Sequence, residues 1–193
     1  INPHFLYNVL SSISMLAIRQ GNQEIWNMVQ NLAEFYRTSL NKGNNIMKIG
    51  EEVKLLKSYL AIQKVRFGEK LNVHFVIPEE LKKYETIKLI LQPVVENSIH
   101  HGMRDDDSLL DIKVCLQDQG EYLVFCVEDN GVGIEKEKLE MLNVQMKQGV
   151  SGYGLKNVSV RIQLQYGYEY GLKLYSEKGK WTKVIIKLPK KEE

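Results

Sequence analysis

The spacing of apolar residues over residues 4–40 predicts two amphipathic helices joined by a tight turn at Gly21-Asn22. The apolar positions of the two helices are Leu6, Val9, Leu10, Ile13, Leu16 and Ala17, then Ile25, Met28, Val29, Leu32, Phe35, Tyr36 and Leu40. So short a turn predicts an antiparallel hairpin. Because two helices alone bury little apolar surface, we expect the hairpin to pair with a second copy as a four-helix bundle.

The remainder of the chain alternates between strand-like and helix-like patterns after a linker at residues 41–45. Strands are predicted at 46–49, 71–78, 109–117, 121–129, 171–179 and 181–189. Helices are predicted at 51–66, 86–101, 135–142 and 155–166, with Gly102 ending the second of these and a frayed tail at 189–193. The pattern indicates an α+β protein, in which the hairpin precedes an α/β sandwich with helices on one face of a mixed sheet.

Composition and charge narrow the class of protein only slightly. Lys and Arg total 26 against 24 acidic residues, a net charge of +2, which gives no indication of nucleic-acid binding. No apolar run approaches the roughly 20 residues that a bilayer requires. Cys115 and Cys126 lie in strand-like runs without metal-ligand spacing, so we expect reduced, buried thiols.

His4 lies on the polar side of the first predicted helix. At about 100° per residue, Asn8, Ser11 and Met15 fall within about 40° of His4, opposite the apolar stripe. This position disfavours a core histidine and leaves two interpretations open, a solvated surface histidine or an imidazole placed for chemistry. Asn8 follows one turn later, where side chains meet.

Two glycine-containing turns are candidates for ligand contact. VEDNGVGI, residues 127–134, ends a strand in Asp129 and turns through Gly131 and Gly133. SGYGLKNV, residues 151–158, precedes a helix whose first amides can bind phosphate oxygens. Each turn alone is a weak signal, because two glycines separated by one residue are more often an ordinary turn, and neither the GxxxxGK[ST] nor the GxGxxG nucleotide motif occurs in the chain.

The segment LQPVVENSIHHG, residues 91–102, predicts a helix with one packed and one polar face. Ile87, Leu91, Val94 and Ser98 share the packed face. Glu96 and His100 lie opposite, with Asn97 and His101 adjacent, a set that can hold Mg²⁺ and phosphate oxygens. A solvated helix face is the alternative, and zinc is disfavoured because adjacent histidines diverge on a helix.

Taken together, these motifs resemble the ATP-binding fold of the GHKL superfamily, which includes gyrase, the ninety-kilodalton chaperones, histidine kinases and MutL-type proteins. With INPHFLYN at the front and QPVVEN on the helix, the chain resembles the LytS/YesM-type sensor histidine kinases along essentially its whole length. The resemblance implies a GHKL-type sandwich at residues 45–193, after a dimerisation and phosphotransfer hairpin at residues 1–42.

By this resemblance, His4 accepts the γ-phosphoryl group of ATP and Asn97 ligates the Mg²⁺ that bridges the phosphates. Residues 1–20 contain no acid, so either Glu96 accepts a proton or orients the imidazole or a water, or no base beyond solvent is needed. Asp129 would accept a hydrogen bond from the adenine amino group, supported by Thr182.

The resemblance also assigns the glycine turns. Gly131 and Gly133 would let the base lie against the backbone. The phosphate turn comprises Gly152, Tyr153, Gly154, Leu155 and Lys156, with Lys156 neutralising charge. Residues 135–151 would form a lid over ATP.

Several residues depart from the family pattern. His100 stands where the family usually has lysine, Ser98 where it has alanine and Lys88 where it has proline. Tyr153 replaces a small aliphatic residue and Trp181 a glycine, and both are expected to narrow or reshape the nucleotide pocket.

The function implied is the catalytic core of a bacterial two-component sensor histidine kinase, which phosphorylates His4 from ATP and passes the phosphoryl group to an aspartate of a response-regulator receiver domain. The resemblance further implies a homodimer in the cytoplasm, an upstream membrane sensor region and no nucleic-acid partner. Two alternatives stay open: a phosphatase-dominant relative in which Asn8 positions a water, and a non-catalytic nucleotide-binding scaffold that signals through dimer geometry.

Overall fold

Two antiparallel helices begin the described part of the chain. The computed structural model describes residues 3–40, 45–103, 109–148 and 154–192. Helix α1 spans Pro3–Arg19 and helix α2 spans Gln23–Ser39. The Asn22 side chain accepts a hydrogen bond from the Ile25 N–H at 3.0 Å and so caps α2. The predicted hairpin is confirmed, and the predicted linker falls largely on residues 41–44, outside the described residues.

Helix α1 presents two different faces. Its contact with α2 buries Leu10, Ser14 and Ala17, and Gln30 Nε2 donates to Ser14 Oγ at 2.9 Å. Ile13, predicted to share the packed stripe, is instead 39% exposed because Ser14 takes its place beside α2. Phe5, Val9, Ile13 and Leu16 form an exposed apolar stripe, and His4 and Asn8 are exposed as the pattern predicts.

The remaining elements build the sandwich. The helices are α3 Ile49–Phe67, α4 Leu91–Gly102, α5 Lys136–Lys147 and α6 Leu155–Tyr166. The strands are β1 Ile46–Lys48, β2 Leu71–Val76, β3 Glu85–Ile87, β4 Leu110–Asp118, β5 Tyr122–Asp129, β6 Gly171–Glu177 and β7 Trp181–Pro189. Short 3₁₀ turns occupy Gly68–Lys70 and Glu79–Leu81. No helix among the described residues has the length and apolar character needed to cross a bilayer.

The main sheet has the order β2-β4-β5-β7-β6, in which β2 and β4 are parallel and the other pairs antiparallel. Alternate residues of β5 are buried, as the period of two predicts for a sheet with one covered face. Val127, Val184 and Leu174 are cross-strand neighbours on that inner face and pack in the core with residues of α3, α4 and α6. The predicted α+β class, with a helical hairpin before a mixed-sheet sandwich, is confirmed.

Several predicted boundaries were wrong. The helix expected at 86–101 begins at Leu91, because Thr86 and Ile87 belong to β3, which pairs with β1 in a second, two-stranded sheet. Helix α5 extends to Lys147, beyond the predicted end at 142. The tail is tied down rather than frayed as far as Lys191, whose carbonyl accepts the Glu85 N–H at 2.9 Å.

Helix α3 connects the hairpin to the sandwich. Lys54 on α3 forms an ion pair with Glu34 on α2 at 2.8 Å. The rings of Phe35 on α2 and Tyr59 on α3 lie 6.3 Å apart between centroids. These contacts place α3 between the hairpin and the core.

Glu52, on the buried side of α3, holds the start of α4. Its carboxylate accepts the backbone N–H groups of Leu89, Ile90 and Leu91 at 2.8 to 2.9 Å. Arg161 of α6 donates to the carbonyls of Lys88 and Leu89 in the same turn. Burial raises the pKa of the Glu52 carboxyl, and the three N–H donors oppose that shift.

The same turn contains the single non-glycine residue with positive φ among the described residues, Leu89 at 59°. A leucine there is strained, so the surrounding contacts must stabilise the turn. The Glu52 carboxylate supplies three of those contacts to a helix end that has no capping side chain of its own.

We therefore expect Glu52→Ala to lower the free energy of unfolding by about 3 kcal/mol, because it leaves three buried donors without an acceptor. Urea unfolding followed by circular dichroism measures the change. The neighbouring Glu51→Ala is the control: Glu51 accepts the Lys48 N–H at an exposed helix start, so its loss should cost about 1 kcal/mol or less. Equal losses for the two variants would contradict this role of Glu52.

Candidate functional site

A cavity of about 390 Å³ lies between the inner face of the sheet and helices α4, α5 and α6. Its apolar lining comprises Val94, Val132, Ile134, Leu142, Met146, Leu155, Leu174 and Val184. Its polar lining comprises Asn97, Ser98, His101, Asp129, Glu135, Lys138, Lys156 and Thr182. Apolar walls with a few convergent polar groups are typical of a small-molecule site.

Register across the sheet explains the polar end of the cavity. Asp129 of β5 is directly opposite Thr182 of β7, and Thr182 is opposite Ser176 of β6. One inward position further along each strand, Val184 and Leu174 form part of the apolar wall. Because alternate strand residues face inward, a polar row of Asp129, Thr182 and Ser176 lies beside an apolar floor formed by Val184 and Leu174.

Asp129 is the buried charge of this row, with 4% of its surface exposed. Burial raises the pKa of its carboxyl, while the Ser98 hydroxyl and the backbone N–H groups of Gly131 and Thr182 counter that shift by hydrogen bonding. The Gly131 N–H lies 3.0 Å from Asp129 Oδ1. A buried carboxylate facing a cavity is a strong acceptor for a ligand N–H group.

Asn97 projects from α4, and its amide nitrogen already has a hydrogen-bond partner within the helix. Its Nδ2 donates back to the Pro93 carbonyl at 2.6 Å, which leaves Oδ1 as the available ligand atom. Gly154, at the start of α6 with φ of 65°, comes close enough that an added Cβ would lie 3.4 Å from Asn97 Nδ2. The α6 N-terminus and the Asn97 amide are therefore neighbours, and Lys156 and His101 also line this cavity.

Among the described residues there is no cluster of three His, Cys, Asp or Glu side chains suited to a metal ion. Mg²⁺ is commonly held by one or two protein oxygens together with substrate phosphates and waters. Asn97 Oδ1 fits such a site, whereas a metal held by protein alone does not.

The predicted lid is only partly within the described residues. Its described part contains α5, where both amide atoms of Asn143 pair with the backbone N–H and C=O of Leu174 at 2.9 Å. Gln163 of α6 also donates to the Met146 carbonyl at 3.0 Å. Helix α5 is thus anchored to edge strand β6. Residues 149–153, including the predicted ligand residues Gly152 and Tyr153, lie outside the described residues.

Apart from the turn glycines Gly131 and Gly154, and from Gly152 and Tyr153 outside the described residues, the predicted site residues fall into three groups. Asn97, His101, Asp129, Gly133, Leu155, Lys156 and Thr182 line the cavity. Glu96 and His100 lie on the exposed side of α4, 3.8 Å apart. His4 and Asn8 lie together on α1, where the Asn8 amide nitrogen is 3.4 Å from His4 Nδ1.

Two sequence-based expectations about individual side chains need correction. Trp181 does not narrow the cavity: it precedes the inward-facing Thr182, so its ring lies on the outer face, where Lys183 Nζ is 5.6 Å from the ring centroid. Ser98 does more than fill the packed face, since it hydrogen-bonds Asp129. The signal for Ser98 was its hydroxyl on an otherwise apolar face, which requires a buried partner.

Comparisons with known protein families agree with this geometry. Residues 1–71 match the histidine kinase family, and residues 82–192 match the histidine kinase-, DNA gyrase B- and HSP90-like ATPase family. Together the two matches cover almost the whole chain.

Several curated relatives are similar over the full chain. Sensor histidine kinase YesM of Bacillus subtilis is 36% identical over 193 residues, and sensor histidine kinase BtsS of Escherichia coli is 31% identical over 196 residues. Both matches include 100% of this chain but only 32% of the relative. The chain therefore spans about a third of the length of these relatives.

Solved structures support the fold. A histidine kinase domain from the Erythrobacter litoralis EL346 blue-light activated kinase aligns with a TM-score of 0.51 and 20% identity, covering 98% of this chain and 86% of that chain. The catalytic domain of histidine kinase ThkA aligns with a TM-score of 0.54 and 18% identity, covering 75% of this chain and 96% of that chain.

Gly131 yields a prediction about packing at the site. A Cβ on Gly131 would lie 2.3 Å from the Gly102 Cα, so the loop after β5 packs backbone to backbone against the end of α4. We expect Gly131→Ala to destabilise the protein by at least about 2 kcal/mol, because backbone atoms must move apart. Urea unfolding measures the loss, and ATP binding should weaken with it.

The control is Gly120→Ala in the β4–β5 turn. Gly120 has φ of 84° and nothing within 4 Å of its Cβ position, so alanine there introduces backbone strain without a collision. Its cost should be about 1 kcal/mol. A Gly131→Ala variant as stable as Gly120→Ala would contradict the packing role.

Proposed function

Because the chain belongs to the histidine kinase-, DNA gyrase B- and HSP90-like ATPase family and its residues 1–71 match the histidine kinase family, we propose that it is the catalytic core of a two-component sensor kinase that transfers the γ-phosphoryl group of ATP to His4. The observation that carries the proposal is the convergence on one cavity of Asp129, Asn97 and the start of α6. These groups suit the base, the metal and the phosphates respectively.

The cavity residues would bind and orient the nucleotide. Asp129 accepts from the base amino group, and the apolar floor around Val184 and Leu174 covers the ring faces. Lys156 and the first amides of α6 hold the phosphates. Asn97 Oδ1, together with phosphate oxygens, would hold Mg²⁺, and the ion would neutralise negative charge on the phosphates.

His4 has the exposure that a phosphoryl acceptor needs. In its neutral form, the ring nitrogen with the lone pair attacks the γ-phosphorus, and the bond from that phosphorus to the β–γ bridging oxygen breaks. The proton on the other ring nitrogen then leaves to a base or to water. Contact with Asn8 helps to fix which nitrogen carries that proton.

Glu96 is proposed as the acceptor of this proton. Its carboxylate is on the exposed side of α4, one turn before His100, and Asn97 follows it directly on the same helix. A base on this helix would meet His4 only when the hairpin approaches the nucleotide. We therefore assign phosphoryl transfer to an encounter between the helical hairpin that carries His4 and the sandwich that binds the nucleotide.

A homodimer is supported by the exposed apolar stripe on α1, whose members Phe5, Val9, Ile13 and Leu16 are between 38% and 67% exposed. An amphipathic helix with a second apolar face gains stability when that face packs on another helix. The hairpin of a second copy supplies such a face and completes a four-helix bundle. In this arrangement, His4 and Asn8 stay on a separate, polar side of α1.

The proposed downstream partner is the receiver domain of a response regulator, which docks around His4 and takes the phosphoryl group on an aspartate. Upstream, we propose a membrane-bound sensor region that places this core in the cytoplasm. This is supported by the relatives, which are sensor kinases about three times as long as the chain.

Phosphatase activity toward the regulator is a second candidate, favoured by the contact of Asn8 with His4. An amide one turn from the phosphorylated ring suits the orientation of an attacking water. Kinase and phosphatase activity would then share one surface of α1.

We expect the protein to incorporate γ-³²P from Mg-ATP in an acid-labile, base-stable form, and His4→Gln to abolish the label completely. Asn8→Ala tests the phosphatase role: labelling should persist, while release of phosphate from the labelled regulator should slow. Label that survives His4→Gln would contradict His4 as the acceptor. Nucleotide binding with no label in the wild type would favour a non-catalytic scaffold.

We also expect Asn97→Ala to reduce Mg²⁺-dependent ATP binding at least tenfold, because it removes the proposed oxygen ligand. Isothermal titration with a non-hydrolysable ATP analogue, with and without Mg²⁺, measures this. His100→Ala is the control on the same helix, because its ring is on the exposed side and should leave binding within about twofold. Unchanged Mg²⁺ dependence in Asn97→Ala would remove this residue as the ligand.

A further inference from the structure

The polar row at the end of the cavity continues to a residue that the proposed nucleotide contacts do not include. Asp129, Thr182 and Ser176 are cross-strand neighbours on β5, β7 and β6. Asp129 and Thr182 line the cavity, and Ser176 lies behind Thr182. The Ser176 and Thr182 hydroxyl oxygens are 3.0 Å apart.

The single hydroxyl hydrogen of Ser176 decides which residue donates in the contact between Ser176 and Thr182. Ser176 Oγ is 2.7 Å from the Trp181 carbonyl, which can only accept, so the single hydroxyl hydrogen of Ser176 points there. Ser176 Oγ also accepts the Ile134 N–H at 2.8 Å. In the contact with Thr182, Ser176 is therefore the acceptor and Thr182 the donor.

This assignment leaves the Thr182 hydroxyl without a hydrogen for the cavity, although its oxygen lone pairs stay available. The neighbouring Asp129 carboxylate offers only acceptors as well, and the Ser98 hydroxyl is hydrogen-bonded to it. Asp129 and Thr182 thus form an acceptor-only edge. Such an edge suits a base with an amino group opposite it and disfavours a base with a carbonyl oxygen there.

Adenine and guanine differ in this respect. At the equivalent ring position, adenine carries an exocyclic amine, a donor, whereas guanine carries an oxygen, an acceptor. We propose that Ser176 is a specificity-determining positioning residue, which makes the site reject guanine nucleotides by holding the Thr182 hydroxyl as an acceptor toward the cavity. This inference rests on the proposed function, since it concerns the base of the nucleotide that the cavity binds.

The test compares binding of non-hydrolysable ATP and GTP analogues with Mg²⁺ by isothermal titration. The wild type should prefer the ATP analogue. In Ser176→Ala the Thr182 hydroxyl is free to donate to the guanine oxygen. The ratio of the Kd for the GTP analogue to the Kd for the ATP analogue should therefore fall about tenfold, chiefly through tighter GTP binding. Ser176→Thr retains the hydroxyl and should restore the wild-type ratio.

Two further variants separate specificity from folding. Ser159→Ala removes a hydroxyl that is fully buried, accepts the Leu172 N–H at 3.4 Å and does not line the cavity, and it should leave the ratio unchanged. Ser176→Cys keeps the side-chain shape with a somewhat larger atom, but its sulfur is a weak acceptor, so the variant should narrow the ratio even if the alanine variant folds poorly.

Each outcome bears on a defined claim. Folded Ser176→Ala and Ser176→Cys variants with the wild-type ratio, or with equal losses for both nucleotides, would overturn the proposal and leave Ser176 as support for the loop at Ile134. A wild type that binds both analogues equally would overturn it while leaving the kinase function intact. A wild type that binds neither analogue would remove the proposed function itself.

Discussion

The site depends on the hydrogen bonds that the buried Glu52 carboxylate accepts from the backbone, because these bonds fix the start of α4. That helix supplies Asn97, Ser98 and His101 to the cavity, and its last residue, Gly102, packs against the loop that follows Asp129. A helix start that has no side-chain cap of its own and that follows a strained Leu89 needs an acceptor from elsewhere. Glu52 provides it from α3, so the geometry of the cavity is set from outside the cavity.

A second constraint is the burial of Asp129. Its position at the end of β5 leaves only 4% of its surface exposed, and a charge so nearly buried is unfavourable unless donors surround it. The structure meets that need from three directions, with Ser98 from α4, Gly131 from the following loop and Thr182 from the adjacent strand. Since the same donors fix the carboxylate in place, the electrostatic solution also prepares the site for a ligand.

How far the sequence predicts this molecule depends on the range of the interactions involved. Hydrophobic periodicity identified the hairpin and the strands of the main sheet, because each pattern reflects burial of one local face. It placed the start of α4 too early, because the end of β3 is decided by pairing with β1 and by Glu52, both remote in sequence.

Motif resemblance, for its part, pointed to Asn97, Asp129 and Thr182, which the fold brings to one cavity. It assigned Trp181 to the pocket, although the alternation of β7 turns that ring outward. It also passed over Ser176, whose contribution depends on cross-strand register that the sequence does not reveal. Helix α2 packs along α3 through contacts that include the Glu34–Lys54 ion pair and the Phe35–Tyr59 rings. The same helix α3 carries the carboxylate that fixes the start of α4. A tilt of the hairpin would therefore be transmitted through α3 to the helix that carries Asn97.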